Sequence, residues 1–153
     1  MIKNIRSILL LACVMQIGMA HAIDYKTHYK EYFQLSVERK NNQTYSYDVP
    51  RSKIGSLPKW DGKNNPPISI NEAVGIAASK MMEETGAAQT SLVELKLDSK
   101  VKKCKEGDCQ IDFWYYKIEL MPGGRYERAN YKKRKTYIVL MDGSFGVRNI
   151  IGK

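Results

Sequence analysis

Apolar and polar residues alternate, then switch to helical spacing, then alternate again along this chain. Residues 29–38 place Phe33, Leu35 and Val37 on one face and Gln34, Ser36 and Glu38 on the other, the period of a half-buried strand. A polar turn at 39–43 leads into a second alternating run at 44–49 through Tyr45 and Tyr47, completing a hairpin. Residues 50–67, rich in Pro, Gly, Asn and Lys, read as a connector laid over the domain, with Trp60 as a plug into its core.

Helical spacing follows. Ser69-Ile70-Asn71-Glu72 is a capping box, in which the Ser69 hydroxyl accepts the Glu72 amide and the carboxylate reaches back. Behind it Ile70, Ala73, Val74, Ala77 and Met81 share one face, and Gly86 supplies the C-terminal cap, so the spacing predicts a helix over 70–85. That alanine- and methionine-rich stripe is the face expected to pack on a sheet.

The rest reads as strands. Val93, Leu95, Leu97 and Val101 share a face of the run 92–102. Over 110–121, Trp114, Tyr116, Ile118 and Leu120 form one face and Phe113, Tyr115, Lys117 and Glu119 the other. Residues 104–109 form the hairpin tip between these two runs. Asp142-Gly143, flanked by alternating runs at 136–141 and 144–150, signals a tight hairpin. The order predicts an α+β fold: one main helix packed on an antiparallel β-meander, with an N-terminal strand/hairpin extension.

The N-terminus changes the compartment. Lys3 and Arg6 precede a largely apolar stretch from Ile8 to Met19, and Ala20-His21-Ala22 gives a small-x-small cleavage pattern. Residues 1–22 are therefore expected to be a cleavable secretory signal peptide, residues 23–67 the N-terminal hairpin and connector, and 68–153 the α+β domain. A membrane anchor needs a longer unbroken apolar run, and lipid attachment at Cys13 would leave a very short apolar core. No later segment is apolar and long enough to span a bilayer as a helix. The expected destination is the periplasm or the exterior.

Removing the leader takes two basic residues from a net charge of +9 and leaves +7, which favours acidic proteins or anionic surfaces over other partners. It also leaves Cys104 and Cys109, a C-x4-C pair unlike zinc or thioredoxin-type spacings, which reads as one disulfide in an oxidising compartment.

Candidate chemistry is sparse. His28 is the one histidine beyond the leader, so a Ser-His-Asp or Cys-His arrangement would have to use it, and a solvated histidine near the terminus is expected instead. Glu83 and Glu84 are adjacent on a helix and diverge, Pro122-Gly123-Gly124 leads into no helix, and no metal-ligand or cofactor motif is present. The expectation is a non-enzymatic protein without cofactors or metal. Basic residues crowd two places: Lys100, Lys102, Lys103 and Lys105 near the disulfide tip, and Arg125, Arg128, Lys132, Lys133, Arg134 and Lys135 in the next connection. In a meander these lie at opposite ends of the sheet, so they do not merge into a nucleic-acid groove. Solubilising, edge-protecting lysines account for most of them, an acidic protein partner comes next and nucleic acid last.

Residues 68–151 resemble the PepSY domain, a small bacterial secreted or membrane-attached module. The resemblance rests on Ile68-Ser69-Ile70-Asn71-Glu72-Ala73 at the helix start, Trp114-Tyr115-Tyr116-Lys117-Ile118 in the central strand, and Tyr137 to Val147 with Asp142 and Gly146 in the closing hairpin. It implies an inhibitory or regulatory module acting on another protein and supplies no catalytic residues. Contact with a partner in the envelope or outside the cell would then use an exposed sheet face carrying Phe113 and Tyr115, or the basic loop Arg125–Lys135. The alternative is a ligand carrier or polyanion binder using the basic loops or a groove between helix and sheet.

Overall fold

In the computed structural model, residues 30–105, 108–124 and 132–152 are described, the side chains of 102–105 and 108–110 excepted. Residues 1–22, where a signal peptide is expected, and Arg125 and Arg128 lie outside them. Six strands follow in chain order: β1 (Tyr32–Lys40), β2 (Gln43–Pro50), β3 (Thr90–Lys105), β4 (Asp108–Pro122), β5 (Lys135–Leu140) and β6 (Val147–Gly152). Between β2 and β3 lie a one-turn helix α1 (Arg51–Ile54) and the longer α2 (Ile70–Thr85). The strands form two antiparallel three-stranded sheets, ordered β1-β2-β6 and β3-β4-β5.

The α+β expectation is thereby corrected. The described chain is predominantly β, and its strands divide between two sheets instead of forming one meander under a helix. The physical reason lies at the C-terminus. Asp142-Gly143 does turn the chain, with Gly143 at φ +79° and the Leu140 amide donating to the Ser144 carbonyl at 2.8 Å. Only a single bridge, Val139 to Phe145, forms there before the chain departs. β6 then pairs with β2, Tyr45 opposite Ile150 and Tyr47 opposite Arg148. The N-terminal hairpin is therefore the centre and one edge of a full sheet.

The β3-β4-β5 sheet is covered on both faces. Tyr116, Ile118, Tyr137 and Val139 pack with Ala73, Ala77 and Met81 of α2. Phe113, Tyr115, Ile138 and Leu140 pack with Leu35, Tyr47, Val49 and Leu57 from the other sheet and its flank. The layers run helix, sheet, sheet. The helix itself forms where its local signals place it: Ser69 caps the Glu72 amide at 3.1 Å and Gly86 closes the end at φ +68°. Two fully buried alanines let it lie close to the sheet.

An irregularity in β1 reorients its second half. Gln34 pairs with Asp48 and Ser36 with Tyr47, so Leu35 is an extra residue in the ladder. Leu35 stays buried, but beyond the bulge Val37 turns outward at 50 % exposure, while Ser36 and Glu38 turn towards β4. The strand thus departs from the strict alternation its residues suggest.

Candidate functional site

Phe113 and Tyr115 are each 2 % exposed, so they are not an outward sheet face. They are buried because a second sheet lies over them, and the hydroxyl of Tyr115 donates to Asp98 at 3.0 Å. In the basic connection, Lys132 and Lys133 are exposed. Arg134 meets Glu119 at 3.3 Å and Lys135 meets Glu84 at 2.8 Å. These two side chains fasten the loop to β4 and α2. Lys100 lies opposite Phe113 and Lys135 opposite Leu120, so the nearest described members of the two basic clusters are seven β4 residues apart, about 23 Å.

Cys104 and Cys109 are directly opposite in the β3–β4 ladder. Facing residues of an antiparallel pair have Cα atoms about 4.5–5.5 Å apart, within disulfide reach. Their side chains lie outside the described residues.

Two constellations emerge that the sequence did not announce. The first is polar and lies between the sheets. The Lys117 ammonium meets Glu38 at 2.7 Å, and the hydroxyls of Tyr47 and Thr136 donate to the same carboxylate at 3.1 and 3.0 Å. Burial pushes the Glu38 carboxyl up, but Lys117 and the two hydroxyls together outweigh it, and it sits below its ordinary value. Burial, reinforced by the Glu38 charge, raises Tyr47 and keeps it a neutral donor. A small cavity of about 170 Å³ opens beside this network, against Tyr47, Thr136, Tyr137, Arg148, Lys80 and Glu84. It lies where the sequence allowed a groove between helix and sheet, and a second, more open pocket of about 390 Å³ lies at the C-terminal end of α2 against Pro122, Gly123 and Lys133. The polar groups of the smaller cavity are already engaged: Tyr137 donates to Glu84 at 3.1 Å, Lys80 meets Glu83 at 3.0 Å, and Arg148 lies 4.0 Å over the Tyr45 ring. A network so saturated holds the two sheets in register.

The second constellation is an open cleft of about 460 Å³ between the 59–64 segment and β4. Trp60 and Trp114 line it as one packed edge-to-face pair, ring centroids 4.9 Å apart at 61°, so a guest would lie against the pair and not between the rings. The Trp114 indole N–H donates to the Trp60 carbonyl at 3.0 Å, and the Trp60 indole N–H donates to the Asn64 carbonyl at 2.9 Å. Lys59 donates to the Asp112 carbonyl at 3.0 Å, which fastens the segment to β4. Gly62 makes the tight return at φ +78°, and a Cβ there would come within 3.3 Å of the Trp114 ring. Both indole N–H groups are spent internally, so the cleft offers apolar faces with Asp61, Asn64 and Asp112 nearby. Trp60 is accordingly half-buried, a wall as much as a plug. The Pro/Gly/Asn-rich composition of the segment was the available sign of an exposed aromatic loop. The strand face carrying Trp114 gave no sign of being open at that end.

Among the described residues no group of three or more His, Cys, Asp or Glu side chains could hold a metal, and no helix is long and apolar enough to cross a membrane. No family model, curated protein or solved structure matches the chain.

Proposed function

We propose that this protein is an exported, non-enzymatic binding module that holds a segment of another envelope or secreted protein in the Trp60–Trp114 cleft. The cleft itself carries the reading. Its volume lies within the range of ligand-binding sites, whereas the polar cavity beside Tyr47 is smaller and internally satisfied. Indole faces with spent N–H groups favour an inserted apolar or aromatic side chain, and tryptophans dominate the energetics of protein interfaces. The leader-like N-terminus and the facing Cys104 and Cys109 support a destination in the periplasm or outside the cell. The likeness to PepSY modules gives the reading its specific form, inhibition or regulation of the partner. A carrier of polyanions is disfavoured because Arg134 and Lys135 are occupied by Glu119 and Glu84.

The test compares variants of the purified chain against the partner it retains from an envelope extract. Trp60→Ala is expected to weaken that binding about thirtyfold, the scale of an aromatic hot spot, with circular dichroism confirming the fold. Lys132→Glu with Lys133→Glu is expected to leave it nearly unchanged. The opposite pattern would overturn the cleft and return the contact to the basic loop.

A further inference from the structure

Among the described residues β3 is an edge of its sheet, with β4 on one side and no strand on the other. Long edges are normally blunted by bulges or by runs of like charge. β3 has bulges near both ends, between Leu92 and Glu94 and on either side of Val101. Between them, Glu94 to Lys100 pairs with β4 in unbroken register, Glu94 opposite Glu119 and Lys100 opposite Phe113. This is a straight edge of seven residues without proline.

Its charges are ordered. One face presents Glu94, Lys96, Asp98 and Lys100, strictly alternating in sign, and the other presents Leu95, Leu97 and Ser99. Such a sequence is its own complement when reversed. Consider an identical strand laid antiparallel along the edge, with a two-fold axis at Leu97. Glu94 then faces Lys100 of the second copy and Lys96 faces its Asp98, each pair occurring twice. Leu97, 38 % exposed in one copy, faces Leu97. The other registers that keep at least five of the seven residues paired are centred on residues 96 and 98. One sets Lys96 on Lys96 and Glu94 on Asp98. The other sets Asp98 on Asp98 and Lys96 on Lys100. Opposite charges facing across strands are favourable and like charges are not, so the pattern selects the Leu97-centred register alone.

We propose that the β3 edge pairs with the β3 edge of a second copy of this chain, joining two three-stranded sheets into one of six strands. The edge is stable while unpaired because its charges are used locally: Lys96 meets Glu94 at 2.9 Å, Lys100 lies 5.5 Å over the Phe33 ring, and Asp98 Oδ1 accepts the Ser99 amide at 2.8 Å. Pairing exchanges these exposed contacts for cross-strand ones. The local charge of the edge is balanced, so the overall positive charge of the chain is not concentrated at the contact. The inference does not depend on what the Trp60–Trp114 cleft holds.

Sedimentation velocity of the purified full-length chain, as processed by the expressing cell, tests it across a wide concentration range. The wild type is expected to associate reversibly to a dimer, less strongly as salt is raised. Lys96→Glu sets like charge on like twice and should weaken association about tenfold or more. The Lys96 side chain is 61 % exposed, so this change leaves the fold intact. Lys96→Asp with Asp98→Lys inverts one pair and restores complementarity, so association should return. Three results would overturn the proposal. The wild type could remain monomeric up to about 1 mM. Lys96→Glu could associate as the wild type does. The double variant could stay monomeric while its circular dichroism and unfolding midpoint match the wild type.

Discussion

Glu38 reaches Lys117 because of one extra residue, Leu35, three positions upstream. The alternation of β1 assigns Glu38 to the solvent face, and nothing local in the sequence marks the bulge, because its cause is distant: a lysine and two hydroxyls on β2, β4 and β5 waiting between the sheets. Phe113 and Tyr115 were misplaced for a related reason, since strict alternation looks the same whether the second face meets water or another sheet. The Glu38 cluster has a pH consequence. The folded carboxyl lies below its ordinary value of 4.5, so its stabilisation is present above that value and is lost as pH falls through the lowered one. Urea unfolding of the wild type should therefore show a midpoint that falls below about pH 4.5, and in Glu38→Gln the fall should be shallower. At pH 7, Lys117→Met should cost about 1.5–3 kcal/mol, since it removes a charged hydrogen-bond partner from a half-buried carboxylate. A slope unchanged by Glu38→Gln would contradict the account.

Elements were legible in proportion to how local their causes are. Helix α2 was readable to within a residue, because Ser69 and Gly86 act within their own turns and the Ala73–Ala77–Met81 stripe has helical period. The β3–β4 hairpin was readable too. The pairing of β6 was not: Asp142-Gly143 correctly announced a turn, but the partner that β6 joins lies about a hundred residues earlier, and no residue in either strand names the other. Two predictions belong at this scale. Met81 is fully buried between α2 and the middle sheet, so Met81→Ala should lower stability by about 2–5 kcal/mol in denaturant unfolding, against a small effect for an exposed position such as Glu83→Ala. In the hairpin β3–β4, the facing cysteines predict that chain purified from an oxidising compartment carries no free thiol in a denaturing thiol assay. Reduction should then destabilise it by about 2 kcal/mol, the chain-entropy value for so small a ring.

At the scale of the molecule, the middle sheet explains the division of labour. Its two buried faces supply the core: α2 on one side, the β1-β2-β6 sheet on the other. Its polar end is locked by the Glu38 and Glu119 ion pairs, which makes that region scaffold. Its β3 edge and the cleft over β4 are left facing outwards, and those are the surfaces assigned to contact with other chains. The +7 charge predicted for the processed chain does not collect at either one, so it bears on solubility and approach more than on recognition. The proposed function places a segment of a partner protein in the cleft. The direct measurement places a photo-crosslinking residue at Ile111, a partly exposed cleft position, in the chain expressed in its own cells. A second crosslinker, at Lys132, serves as comparison. One discrete adduct is expected from Ile111, saturating with expression and disappearing in Trp60→Ala. An adduct from Lys132 with none from Ile111, or an Ile111 adduct indifferent to Trp60→Ala, would contradict that proposal.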